Sequence, residues 1–191
     1  MRKISKVAGV VAAAALLLTV GLSPAMADVV NSTISGGALT STTAGATLSG
    51  VTLDGTNTQA ATGSSTQWSI KDARGTGAAW TLSVSATVPT SAAGTTELVA
   101  RTLPGGNLTI TPGTITAGAG ADAATGITAP ALTILETSQA LVAATATHKG
   151  TYTLTPSFSL AIPANTFRSN YAVGSSGALN PYTTTLTYTI A

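Results

Sequence analysis

A chain of 191 residues with 7% charged residues, 4% aromatic residues and no cysteine is long enough for one domain of ordinary size but has no disulfide to staple it. A single histidine and six acidic residues exclude a zinc centre built from several His or Cys ligands and leave few groups for acid–base chemistry. The formal charge of +2 rests on the first six residues, so it carries no message about a nucleic-acid partner.

Arg2, Lys3 and Lys6 precede an uncharged run from Val7 to Leu22, which ends at Ser23-Pro24 and closes on Ala25-Met26-Ala27. Small residues at Ala25 and Ala27 are what a signal peptidase reads. A membrane span needs about twenty apolar residues, and this run is shorter. Residues 1–27 are therefore expected to be a signal peptide cleaved before Asp28, leaving no membrane span. Beyond it, five basic residues (Lys71, Arg74, Arg101, Lys149, Arg168) face six acidic ones (Asp28, Asp54, Asp72, Glu97, Asp122, Glu136), a formal charge of −1. No basic cluster survives to bind nucleic acid, and the surface is left to Thr, Ser, Asn and Gly.

Short candidate strands follow in chain order. Leu48 to Leu53 and Trp68 to Asp72 come first. From Trp80, the apolar set Trp80, Leu82, Val84, Ala86 and Val88 then alternates with Thr81, Ser83, Ser85 and Thr87, which puts one apolar and one hydroxylated face on a strand. Glu97 to Leu103, Leu108 to Ile110 and Leu132 to Leu135 are the next candidates, then Tyr152 to Leu154 and Phe158 to Ile162. Gly, Pro or Asn bounds each of them. The Gly-rich stretch Ala117 to Ala129 reads as a loop. Ser138 to His148 has Ala-rich helical propensity, but its threonines favour a strand. The last segment sets Tyr182, Leu186, Tyr188 and Ile190 against Thr183, Thr185, Thr187 and Thr189, with Thr184 interrupting the apolar row. Alternating strands with one apolar face need a second layer. The expected fold is all-β: a single β-sandwich of Ig-like or Greek-key type over 28–191, built from many short antiparallel strands.

Catalytic chemistry finds little footing. His148, beside Lys149 and Gly150, reads as a solvated turn residue rather than a base. Paired carboxylates could serve a glycosidase, but the six acids are scattered singly. Calcium loops are denser in Asp and Asn than any segment here. No enzyme activity, metal or cofactor is expected. Leu103-Pro104-Gly105-Gly106 is only loosely like a covalent sorting signal and lies mid-chain, so retention at the cell is expected to be noncovalent.

Two regions together resemble the WxL domain, a cell-surface domain of Gram-positive bacteria. Asp72-Ala73-Arg74-Gly75, followed by Trp80-Thr81-Leu82, is similar to that family's D-x-R-G turn and Trp-x-Leu motif. Tyr182 to Ile190, with Leu186, Tyr188 and Ile190, is similar to its closing Y-x-x-x-L-T-W-x-L strand, although Tyr188 stands where the family prefers Trp and Ile190 where it prefers Leu. The resemblance implies noncovalent attachment to peptidoglycan or another wall glycan, often in company with other surface proteins, and a place outside the cell. It leaves open whether the motif side chains touch ligand. Trp80 and Leu82 share the inward parity of Val84 and Val88, which makes them core candidates. Asp72 and Arg74 read either as an ion pair fixing a turn or as groups offered to a glycan. A rival expectation is a structural subunit of a surface filament or layer, joined by strand addition through the low-charge stretch Val29 to Leu53.

Overall fold

The structure is a computed structural model that describes residues 30–174 and 177–191; the expected signal peptide lies outside them. Ser35–Ala191 forms one compact unit. No described residue is helical. Among the described residues fourteen strands run in the order β1 (Leu39–Thr42), β2 (Gln59–Ser64), β3 (Trp68–Asp72), β4 (Trp80–Ala86), β5 (Thr90–Ser91), β6 (Arg101–Thr102), β7 (Leu108–Thr111), β8 (Thr116–Ala117), β9 (Ile127–Thr128), β10 (Leu132–Thr133), β11 (Gln139–Ala144), β12 (Gly150–Leu154), β13 (Ser157–Ile162) and β14 (Leu186–Ile190).

All pairings are antiparallel, and three four-stranded sheets carry the fold: β1-β3-β12-β8, β10-β7-β13-β2 and β14-β4-β11-β9. The first two run end to end as halves of one bent layer. Leu154 faces Trp68 and Ser157 faces Ser64, while Thr153 faces Thr116 and Ser157 faces Thr111, a slip of one residue in each case. The bend falls at Ser65–Gln67 and Thr155-Pro156, where the Ser65 N–H still reaches the Pro156 carbonyl at 3.0 Å. Proline has no N–H for a ladder, so the strand breaks there. The third sheet is the opposing layer.

The core is filled from alternate positions. Trp68 and Ile70 of β3, Trp80, Leu82 and Val84 of β4, Leu108 and Ile110 of β7, and Phe158 and Leu160 of β13 are buried, with Leu141, Val142, Tyr152 and Leu154. This period-two pattern is the β-sandwich signal, and the all-β sandwich is what forms.

Several sequence expectations need correction. Leu48 to Leu53 is not a strand, although it lies along the β2 edge in register: Leu39 faces Asp72, and ten residues on the Ser49 N–H bonds the Thr62 carbonyl at 2.8 Å. The Ser49 hydroxyl takes the Thr62 N–H at 3.0 Å, a bond a ladder would give to the Ser49 carbonyl. Gly63 admits this approach, since a Cβ there would strike the Thr47 carbonyl. Glu97 to Leu103 contains only the two-residue β6, because Glu97 is tied to Arg168 and to the Tyr171 N–H, while Leu98 and Val99 turn to solvent. The loop reading of Ala117 to Ala129 misses β8 and β9 at its ends. β2, with the sequence QAATGS, offered no apolar alternation, yet it pairs along its whole length with β13. The closing strand begins at Leu186; before it, Thr183 only bridges Thr90.

Candidate functional site

β3 ends at Asp72 and β4 begins at Trp80, so the chain passes from one sheet to another within seven residues. Arg74 clips that connection. Its Nε donates to Asp72 Oδ1 at 3.0 Å and its Nη2 to Asp72 Oδ2 at 2.9 Å, a bidentate pair. The same Nη2 reaches the Ala78 and Ala79 carbonyls at 2.9 and 3.2 Å. Gly75 follows at φ 71°, a left-handed conformation that disfavours a Cβ. Asp72 is buried, and the Arg74 side chain beside it holds its carboxyl below the usual range. Both Asp72 oxygens are therefore occupied within the turn.

Trp80 is 1% exposed and Leu82 is fully buried. The indole Nε1 of Trp80 donates to the His148 carbonyl at 3.1 Å, and its ring lies 6.0 Å from that of Tyr152. His148 itself is not the solvated turn residue its sequence context suggests. It is buried, with Nε2 2.9 Å from the Thr125 carbonyl and Nδ1 3.0 Å from the Thr145 carbonyl. Two carbonyl acceptors ask both ring nitrogens to donate, which only the imidazolium does. The Thr125 carbonyl first, then that of Thr145, raises its pKa.

The two motif halves meet on neighbouring strands: Tyr188 faces Val84 and Ile190 faces Leu82. Leu186, Tyr188 and Ile190 are half-buried against the core. The Tyr188 ring meets Trp68 edge-on at 5.0 Å, and Trp68 anchors through Nε1 to Ser65 Oγ at 2.8 Å and to the Ala44 carbonyl at 3.0 Å. The Tyr188 hydroxyl is buried with no hydrogen-bond partner among the described residues, and burial raises its pKa. Tyr182 is not brought to this group; its hydroxyl donates to the Phe167 carbonyl at 2.8 Å.

That last contact leads to a loop cluster absent from the sequence reading. The Arg101 guanidinium sits 5.0 Å from the centre of the Phe167 ring, and that of Arg168 sits 4.2 Å from the centre of the Tyr171 ring, both within cation–π range. Phe167 is 70% exposed; Leu98 and Val99, close to Arg101 in sequence, and Val173, close to Phe167, are exposed too. The buried Asn170 fixes the loop, donating to the Ala92 and Val99 carbonyls at 3.0 and 2.9 Å. Glu97 pairs with Arg168. The Thr96 hydroxyl, the Tyr171 N–H and Arg168 bring the Glu97 carboxyl down to about 2. Arg101 donates to the Arg168 carbonyl at 2.9 Å and forms no ion pair among the described residues. The segment Phe167-Arg168-Ser169-Asn170-Tyr171 was the available signal, but its partners come from residues 91–101.

The loop cluster borders an apolar cleft of about 690 Å³ between the segment 45–53, the core faces of β7 and β13, and the chain entering β14. No group of three or more His, Cys, Asp or Glu fit to hold a metal exists among the described residues, nor is any helix there long and apolar enough to cross a membrane.

The sandwich, the clipped turn and the paired strands that carry the motif define a β-sandwich module. Residues 28–191 match the family model described as WxL domain surface cell wall-binding. The chain belongs to the WxL family: it is a cell-wall-binding domain located at the cell surface. No curated protein and no solved structure matches it.

Proposed function

We propose that this domain attaches noncovalently to peptidoglycan through the loop cluster around Phe167 and Arg101, and that its family motif builds the fold behind that surface. The observation that carries the reading is the contrast in exposure between Trp80, at 1%, and Phe167, at 70%. Peptidoglycan offers sugar faces and the carboxylates of its stem peptides. An exposed aromatic ring stacked under an arginine that holds no carboxylate suits both, since Arg is the side chain matched to planar carboxylates. The exposed Leu98, Val99 and Val173 suit a further contact with another surface protein. The module binds rather than catalyses: Asp72, Glu97 and Asp122 are each engaged in an ion pair and are not free to work as a catalytic pair. Export by the 1–27 leader from a Gram-positive cell completes the reading.

Sedimentation with insoluble peptidoglycan tests it. The purified domain should pellet with the wall, and a Phe167→Ser, Arg101→Ser variant should stay in the supernatant with unchanged melting. A variant that pellets as fully as the parent overturns the assignment to this surface. The rival reading, strand addition between subunits, is favoured by a separate observation, the unpaired edge of β14.

A further inference from the structure

β14 is outermost in its sheet, and its register says which main-chain groups are free. Ala191 exchanges both hydrogen bonds with Thr81 at 2.7 and 3.1 Å, the Thr185 carbonyl accepts from the Thr87 N–H at 3.0 Å, and Thr183 exchanges both bonds with Thr90. Odd-numbered residues from 183 to 191 therefore turn their N–H and C=O groups toward the neighbouring chain. In an antiparallel ladder the alternate residues point the other way, so Thr184, Leu186, Tyr188 and Ile190 present theirs to the open edge. β1 lies against β14 and covers part of this flank. At the Leu186 end the flank opens into the cleft of about 690 Å³, which Leu48, Val51, Leu103, Leu108, Phe158 and Leu160 also line.

An occupant of this place must supply two things at once: main-chain donors and acceptors for the edge, and apolar side chains for the cleft. An acyl chain supplies only the second and a glycan neither in full. An extended peptide supplies both, with alternate side chains entering the cleft. It should carry no charge there, because Arg168, the one charged residue lining the cleft, is already paired with Glu97.

The chain contains such a peptide. Val30-Asn31-Ser32-Thr33-Ile34 is uncharged, and Val30, Ser32 and Ile34 share one face of an extended strand. Val30 is 95% and Ile34 97% exposed. We propose that Val30–Ile34 of one copy adds as a strand to the β14 edge of a second copy and seats Val30 and Ile34 in its cleft. The contact is head-to-tail, so it leaves a free segment and a free edge at the two ends and extends into chains. It is independent of wall binding.

The test is light scattering on the domain 28–191 across a concentration series. Mass should rise above that of one chain with concentration. A Val30→Asp, Ile34→Asp variant should remain monomeric, with at least about a tenfold weaker association, while keeping its melting temperature and its sedimentation with peptidoglycan. A synthetic peptide spanning residues 29–35 should reduce the assembled mass of the parent. A parent that stays monomeric at every concentration overturns the proposal, as does a variant that associates equally well. A monomeric parent whose melting temperature falls on Ile34→Asp also overturns it, since the segment then seats within its own copy.

Discussion

Replacing Trp80 by alanine separates the two roles a motif tryptophan can have. The side chain is 1% exposed, its ring packs on Tyr152, and its Nε1 holds the His148 carbonyl at 3.1 Å. Removing a buried Trp costs about 3 to 5 kcal/mol, and the upper part of that range applies here because the change also strands a carbonyl. Against a total of about 5 to 15 kcal/mol for a domain, this is a large fraction. At about 2 to 4 °C per kcal/mol for a domain of this size, a loss of about 4 to 5 kcal/mol should lower melting, followed by circular dichroism, by roughly 8 to 20 °C. Trp80→Phe keeps most of the apolar volume and loses the hydrogen bond, so it should cost less. Wall binding by Trp80→Ala, measured well below its own melting temperature, should remain. An alanine variant with unchanged melting and lost peptidoglycan binding would refute the assignment of Trp80 to the core.

Arg74→Lys should lower the melting temperature although it keeps the charge, because lysine cannot hold Asp72 by two bonds and reach Ala78 and Ala79 as well; equal melting would show that the clip contributes nothing beyond charge. Tyr188→Phe should be neutral or stabilising by up to about 1 to 2 kcal/mol in urea unfolding, since the hydroxyl it removes is buried without a partner; a loss of stability would reveal a bond to that hydroxyl. The pH profile should have an acid and a neutral limb. His148 has a raised pKa in the fold, so its contribution is complete below the unfolded value of about 6.5 and is lost as pH rises through the folded value. Asp72, Glu97 and Asp122 are lowered, so theirs is complete above about pH 4 and lost on acidification. Chemical unfolding should thus show greatest stability near about pH 5 to 6, and His148→Gln should remove the decline toward pH 8.

Where side-chain alternation was strong the sequence was legible. Trp80, Leu82 and Val84 announce β4 and its buried face, and the Leu-x-Tyr-x-Ile pattern of Leu186, Tyr188 and Ile190 announces β14. β2 was hidden because Ala61 is its single core residue, and its strand character comes wholly from pairing with β13. The segment 45–53 failed in the other direction: its apolar residues line a cleft, and a serine hydroxyl displaces a ladder bond. His148 looked solvated because Lys149 and Gly150 flank it, yet it is the carbonyls of Thr125 and Thr145 that enclose it. Asp72 and Arg74 are two residues apart, so their pairing could be read locally. The Phe167 cluster could not, because it needs residues some seventy positions away, Ser91 to Arg101, to hold the loop in place.

Hydrogen exchange of the domain with and without soluble peptidoglycan fragments bears most directly on the claim that the motif builds the fold while the loop cluster meets the wall. Amides of Glu97–Arg101 and Phe167–Tyr171 should slow on addition of fragments, while those of the Asp72–Trp80 turn and of β14 should be unchanged. Protection confined to the turn or to β14, with the two loops exchanging as before, would contradict it.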